Sequence, residues 1–255
     1  MNILAIGDIV GSGGVNYTLS KIDGIIEKYN VDFVIANAEN SASGNGITKE
    51  IAQKLINAKV DVITLGNHAF SKKDVVNLLL NMPVIRPINY PEKTVGEGFY
   101  IKEKKGKKIA VINAMGRLNL LNIDCPFKAV MRKVNQIKEK CDIIIVDFHA
   151  EATSEKIAFA NYLDSDVCAV FGTHTHVQTA DERILPGGTA YITDIGMTGP
   201  IDSILGVKKD IIIRRFLTQM PEKFYQAEGK NELRGVVFEI DDKTNKCVNI
   251  VRVKE

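Results

Sequence analysis

The sequence predicts an α/β fold with a mainly parallel sheet at its centre and a second sheet packed on the first. Short continuous apolar runs rich in Ile and Val recur along the chain, and each is followed by a helix-compatible segment. The last third instead carries strand-like runs that read as antiparallel. Strand alternating with helix implies a parallel sheet, and antiparallel strands appended to it imply a second layer. The 255 residues are 45% hydrophobic and 25% charged, ordinary globular proportions that exclude disorder, collagen-like repeats and a disulfide-dense scaffold. No repeat or low-complexity linker divides the chain, so a single domain over 1–255 is expected.

Continuous rather than alternating apolar residues mark strands covered on both faces. Such runs predict strands at 3–6, 31–36, 60–65, 109–112, 143–146 and 167–171. Helices are predicted at 15–29, 49–58, 72–81, 127–140 and 154–163, with Thr48 capping the second and Thr153 or Ser154 the last. Later, 189–194 alternates as a strand, 210–220 reads as a helix, and 233–240 with 247–253 reads as a hairpin around 241–245. Lys102, Lys104, Lys105, Lys107 and Lys108 surround Gly106. They read as a solvated hairpin tip, because no aromatic residue is interleaved to stack on bases.

With 33 Lys+Arg against 31 Asp+Glu, the net charge is +2. That gives no broad field for coating nucleic acid or an anionic membrane, so no stable nucleic-acid complex is expected and a small polar substrate fits better. Cys125, Cys141, Cys168 and Cys247 are widely spaced and form no C-x-x-C pair, which reads as reduced thiols. The apolar run before Asp8 is too short for a secretory signal, and no stretch reaches the ~18 residues of a membrane span. A cytoplasmic protein without membrane attachment is expected.

The chemistry lies where the apolar runs end. Gly7-Asp8 follows the first, Asn37-Ala38-Glu39-Asn40 the second and Gly66-Asn67-His68 the third; Asp147-Phe148-His149-Ala150-Glu151 and Gly172-Thr173-His174-Thr175-His176 follow the last two. Ligands bind outside the carboxyl ends of parallel strands. Asp8, Glu39, Asn40, Asn67, His68, His149, His174 and His176 are therefore expected to converge, and they include all four histidines of the chain. Each element has a plainer reading alone: Asp8 as a cap or turn, Glu39-Asn40 as a polar loop, Gly66-Asn67-His68 as a turn tolerant of positive φ. Two histidines at i and i+2 after a buried strand are harder to dismiss. The joint set mixes oxygen and nitrogen donors without thiolate, which suits Mn, Fe or Zn more than Ca or Mg. It holds more candidate ligands than one ion needs, and two ions are a recurring device for phosphoester hydrolysis. Residues 7–14 match neither G-x-G-x-x-G nor a P-loop.

These motifs resemble the calcineurin-like metallophosphoesterase superfamily, which has an early Asp, an acidic bridge, Gly-Asn-His, an isolated His and Gly-x-His-x-His. Two departures stand out. Asp8-Ile9-Val10 replaces Asp-x-His, and Glu39 followed by Asn40 replaces the bridging Asp. With the segment Thr193-Asp194-Ile195-Gly196-Met197-Thr198-Gly199-Pro200, they are similar to the YmdB-like family of bacterial 2',3'-cyclic-nucleotide phosphodiesterases. The resemblance implies two packed mixed β-sheets flanked by helices and two divalent transition metal ions, iron first, with manganese or zinc as alternatives. It implies Asp8, Glu39, Asn40 and His176 around one ion, and Glu39, Asn67, His149 and His174 around the other, with Glu39 bridging. A small phosphodiester such as 2',3'-cAMP is the implied substrate, and assembly into a homo-oligomer is expected.

Two divalent ions, two carboxylates and a bridging hydroxide would leave about +1, which attracts a phosphodiester and stabilises its transition state. The hydroxide would attack phosphorus in line. His68, beside Asn67 and unassigned to metal, would protonate the leaving ribose oxygen; orienting the phosphate is its other reading. Asp147 or Glu151 could accept the second ring proton of His149. Residues 115–126 read as a loop that either covers the site, with Arg117 meeting phosphate or base, or is plain surface. A phosphomonoesterase, nucleotidase or nuclease on the same metals, or a nucleotide-sensing regulator with secondary catalysis, would use the same residues.

Overall fold

A computed structural model describes residues 1–255. The chain runs β1 (Asn2–Ile6), β2 (Asp8–Ile9), α1 (Gly11–Tyr29), β3 (Phe33–Asn37), α2 (Lys49–Asn57), β4 (Val62–Thr64), α3 (Val75–Asn81) and β5 (Val84–Ile85). It continues through β6 (Phe99–Lys104), β7 (Lys107–Met115), α4 (Pro126–Ile137), β8 (Ile143–His149), α5 (Thr153–Tyr162) and β9 (Ala169–Thr173). It ends with β10 (Arg183–Ile184), β11 (Ala190–Ile192), β12 (Met197–Pro200), α6 (Lys209–Thr218), β13 (Asn231–Glu232), β14 (Arg234–Ile240) and β15 (Cys247–Lys254).

Two six-stranded sheets carry the fold, ordered β15-β14-β1-β3-β4-β5 and β10-β11-β9-β8-β7-β6, with a small β13-β12-β2 sheet beside them. The six buried runs therefore do not form one parallel sheet. β1, β3 and β4 pair in parallel in the first, and β7, β8 and β9 in the second. Nor does the carboxyl-terminal hairpin found the second sheet, because β14 adds antiparallel to β1. Side-chain alternation explains why the sequence could not assign membership. Ile3 and Ala5 of β1 face the layer between the sheets, while Leu4 and Ile6 pack with α1 and α2. Likewise Ile143 and Ile145 of β8 face inward, and Ile144, Val146 and Phe148 pack with α4 and α5. Every central strand is apolar on both faces whichever sheet it joins. The layers run helix, sheet, sheet, helix, with one apolar cluster between each adjacent pair.

Local chemistry sets the element ends. Thr48 caps α2, its Oγ1 accepting from the Ile51 N–H at 3.4 Å. The expected side-chain cap of α5 is absent, since Ala152 holds the N-cap position. The Glu155 carboxylate instead accepts from the backbone N–H groups of Arg117 and Leu118. α1 begins at Gly11, so Gly11, Gly13 and Gly14 form its first turn. The lysine-rich tip between β6 and β7 is not simply solvated: Lys102 and Lys104 both reach the buried carboxylate of Asp61 at 2.7 Å, and Lys105 pairs with Asp32. These lysines clamp the second sheet to the first. No helix is long and apolar enough to cross a membrane.

Candidate metal centre

The carboxyl ends of β3 and β4 in one sheet and of β8 and β9 in the other meet at one edge of the sandwich, beside β2. Asp8 opens β2, Glu39 and Asn40 follow β3, Asn67 and His68 follow β4, His149 ends β8, and His174 and His176 follow β9. Asp8 and His149 thus lie within strands instead of just beyond them. All eight expected residues border one centre, although they come from all three sheets, Asp8 from the small one.

The tightest point is His149 Nε2. It lies 3.0 Å from Glu39 Oε1, 3.0 Å from Asn67 Oδ1 and 3.0 Å from His174 Nδ1. One ring N–H can satisfy one of these acceptors, whereas a cation satisfies all of them with the imidazole lone pair. Glu39, His149 and His174 offer ligand atoms within 4.8 Å of one another. Beside them, Asn40 Nδ2 lies 3.3 Å from Asp8 Oδ1, 3.4 Å from Glu39 Oε1 and 3.2 Å from His176 Nε2. Turning that amide over presents its oxygen to the same point. The two carboxylates are buried with no lysine or arginine against them. Burial pushes the Asp8 carboxyl up. Burial also opposes ionisation of Glu39, but the charge of His149 outweighs it and holds Glu39 at about 2. Burial works against charge on His149 as well, yet Glu39 lifts it to about 9, while burial and then His149 press His174 down to about 3. The side chains therefore demand positive charge here, and the donor set fits a transition metal.

Buried groups behind the centre aim these ligands. His149 Nδ1 meets Thr173 Oγ1 at 2.9 Å, and Thr173 donates to Asp147 Oδ1 at 2.7 Å. Asp147 thus acts through Thr173 and not on the ring directly, while Glu151 touches His174 Nε2 at 3.0 Å. His174 and His176 have φ of +99° and +64°, strained for residues with a side chain. The His174 N–H donates to Asp8 Oδ2 at 3.0 Å, and the Thr175 N–H and O–H donate to Asp194 Oδ2 at 3.1 and 2.8 Å. Lys156 neutralises Asp194 at 2.7 Å in a fully buried pair. Sequence reading noted Asp194 only within a family segment and missed Lys156, since a lysine inside a helix pattern looks solvated.

Val10, where related motifs carry histidine, is buried and packs beside Gly199 and Gly206. The His68 backbone N–H donates to Glu39 Oε2 at 2.8 Å, and the residue lines a cleft of about 520 Å³ with Glu39, Asn40, Glu151, His174 and His176. Residues 115–126 do not contribute to that lining. Arg117 is exposed on the surface, and the arginine in the cleft is Arg215 of α6, in a region to which the sequence motifs gave little weight.

A sandwich of two mixed sheets whose strand ends gather carboxylates, amides and imidazoles is the metallophosphoesterase architecture. The NAD nucleotidase of Haemophilus influenzae shares this fold at a TM-score of 0.60 and 16% identity, over 100% of this chain and 55% of its own. Within that class the chain belongs to the YmdB-like protein family, whose model matches residues 4–253. It is 48% identical over 254 residues to the 2',3'-cyclic-nucleotide 2'-phosphodiesterase of Bacillus subtilis, covering 99% of this chain and 96% of that one. The crystal structure of a novel phosphatase from Mycoplasma pneumoniae superposes with a TM-score of 0.94 at 36% identity, over 100% and 93% of the two chains.

Proposed function

We propose that the protein is a cytoplasmic, metal-dependent phosphoric diester hydrolase that opens 2',3'-cyclic nucleotides. The observation that carries this reading is the crowding of three acceptors at 3.0 Å around His149 Nε2, in a centre that borders an open cleft of about 520 Å³. The activity of the Bacillus subtilis relative supports the substrate. Asp8, Glu39, Asn40 and His176 would hold one divalent ion, and Glu39, Asn67, His149 and His174 the other. Bound there, iron, manganese or zinc ions supply water activation and positive charge for the phosphodiester.

The chain's own residues do the rest. Glu39 would belong to both sets. Thr173 and Asp147 hold the His149 ring with Nε2 toward the centre, and Glu151 does the same for His174 with Nδ1 inward. His68, held by its backbone against Glu39, presents its imidazole to the cleft and gives a proton to the departing ribose oxygen. Turnover of 2',3'-cyclic AMP, 3',5'-cyclic AMP, AMP and a short RNA by the purified protein tests this reading. Preference for the first is expected; preference for AMP or RNA would make the protein a nucleotidase or nuclease on the same centre.

A further inference from the structure

The cleft has two chemically different parts. Strand ends supply the polar part, which suffices for metal and phosphate. The remainder comes from the segment after β12 (Leu205), from α6 (Ile212, Arg215 and Phe216) and from the segment that follows α6 (Phe224). Phe216 is 73% exposed and Phe224 47%, a costly display of aromatic surface that phosphate chemistry does not require. The Arg215 guanidinium lies over the Phe224 ring, 5.0 Å from its centroid, so a cation is held within this wall. The wall is also registered to the metal residues, because the Leu205 carbonyl accepts from His176 Nδ1 at 3.1 Å.

We infer that this wall is a nucleobase platform, and that Phe216, Phe224 and Arg215 determine specificity for nucleosides over other cyclic phosphodiesters. The inference rests on the phosphodiesterase reading above. A planar base has the right chemistry: its faces stack on aromatic rings and on a guanidinium plane, and its edges accept hydrogen bonds from arginine. The volume falls in the range of small-molecule sites and exceeds what a phosphate fills. A base on Phe216 and Phe224 would orient the ribose, so that the cyclic phosphate is delivered to the histidines in one pose.

The test compares 2',3'-cyclic AMP with glycerol 1,2-cyclic phosphate, which carries the same five-membered ester and no base. The native protein is expected to favour the nucleotide in kcat/KM. Phe216→Ala and Phe224→Ala should each shrink that preference by roughly tenfold, mainly through KM, as expected for loss of one stacking face. Phe216→Tyr, which keeps the face, should retain it. Equal use of both esters by the native protein, or an undiminished preference in both alanine variants, would overturn the inference. Failure of the native protein to open either ester would instead overturn the phosphodiesterase reading.

Discussion

A methyl group on Gly66 would sit 2.3 Å from His149 Cδ2 and 2.5 Å from Glu39 Oε2. Its φ is not positive, so this glycine serves close approach and not a left-handed turn, the role that Gly-Asn-His suggests when read alone. Gly66→Ala is therefore expected to abolish metal retention and activity, measured by elemental analysis and turnover. Gly24→Ala, at a helical site with nothing within 4 Å, should keep both and add about 0.5–1 kcal/mol of stability. His68 lends itself to a different separation. Because only its backbone touches Glu39, His68→Ala should retain its metals while kcat falls on the order of 10²–10⁴-fold on esters with a poor leaving group. Unchanged turnover on such an ester would remove it from the acid role. At this scale the sequence was informative, since carboxylates, amides and histidines at strand ends have few other uses. Thr173 was opaque, because a threonine that relays His149 to Asp147 looks like any other strand residue.

The turn after β9 depends on a partner from another element. Its two strained histidines are held by Asp8 from β2 and, through Thr175, by Asp194, which α5 neutralises through Lys156. Removing the lysine leaves Asp194 as an uncompensated buried charge, which costs about 3–5 kcal/mol. Lys156→Met is expected to lower the melting temperature and to weaken metal retention roughly 10–100-fold, as loss of supporting contacts behind ligands does. An unaltered melting curve would contradict this account of the turn. β15 gives a pH prediction away from the centre. Burial pushes the Cys247 thiol up to about 12 from an ordinary 9. A raised folded-state value means that its contribution to stability is intact below about pH 9 and is lost as pH rises toward 12. Iodoacetamide at pH 8 should spare Cys247 in the native protein and modify it in urea, and Cys247→Ala should flatten the alkaline fall in the urea midpoint. Elements themselves were largely legible: buried strands announced themselves, and Thr48 fixed the start of α2. The ends of α1 and α5 were not, because glycines read as loop and Thr153 and Ser154 as caps.

For the molecule as a whole, the fold brings residues far apart in sequence to one edge, with β3 and β4 supplying one side, β8 and β9 the other, and β2 of the small sheet supplying Asp8. That the residues would converge followed from the strand ends alone. That they would do so across separate sheets did not, since strands covered on both faces look alike in either large sheet. The cleft wall around Arg215 was hidden for another reason: apolar residues on a surface helix read as core until the fold leaves them uncovered. The charge balance has a consequence at the same scale. With a side-chain net charge of +2 and two buried carboxylates at the centre, attraction of an anionic diester falls to bound cations, so activity should vanish on chelation and return with transition metal. The most direct measurement is the metal content of the purified protein and of Glu39→Gln, taken together with turnover of 2',3'-cyclic AMP. Close to two transition metal ions per chain are expected, with metal and turnover lost together in the variant; a metal-free protein that remains active would contradict a metal-dependent centre.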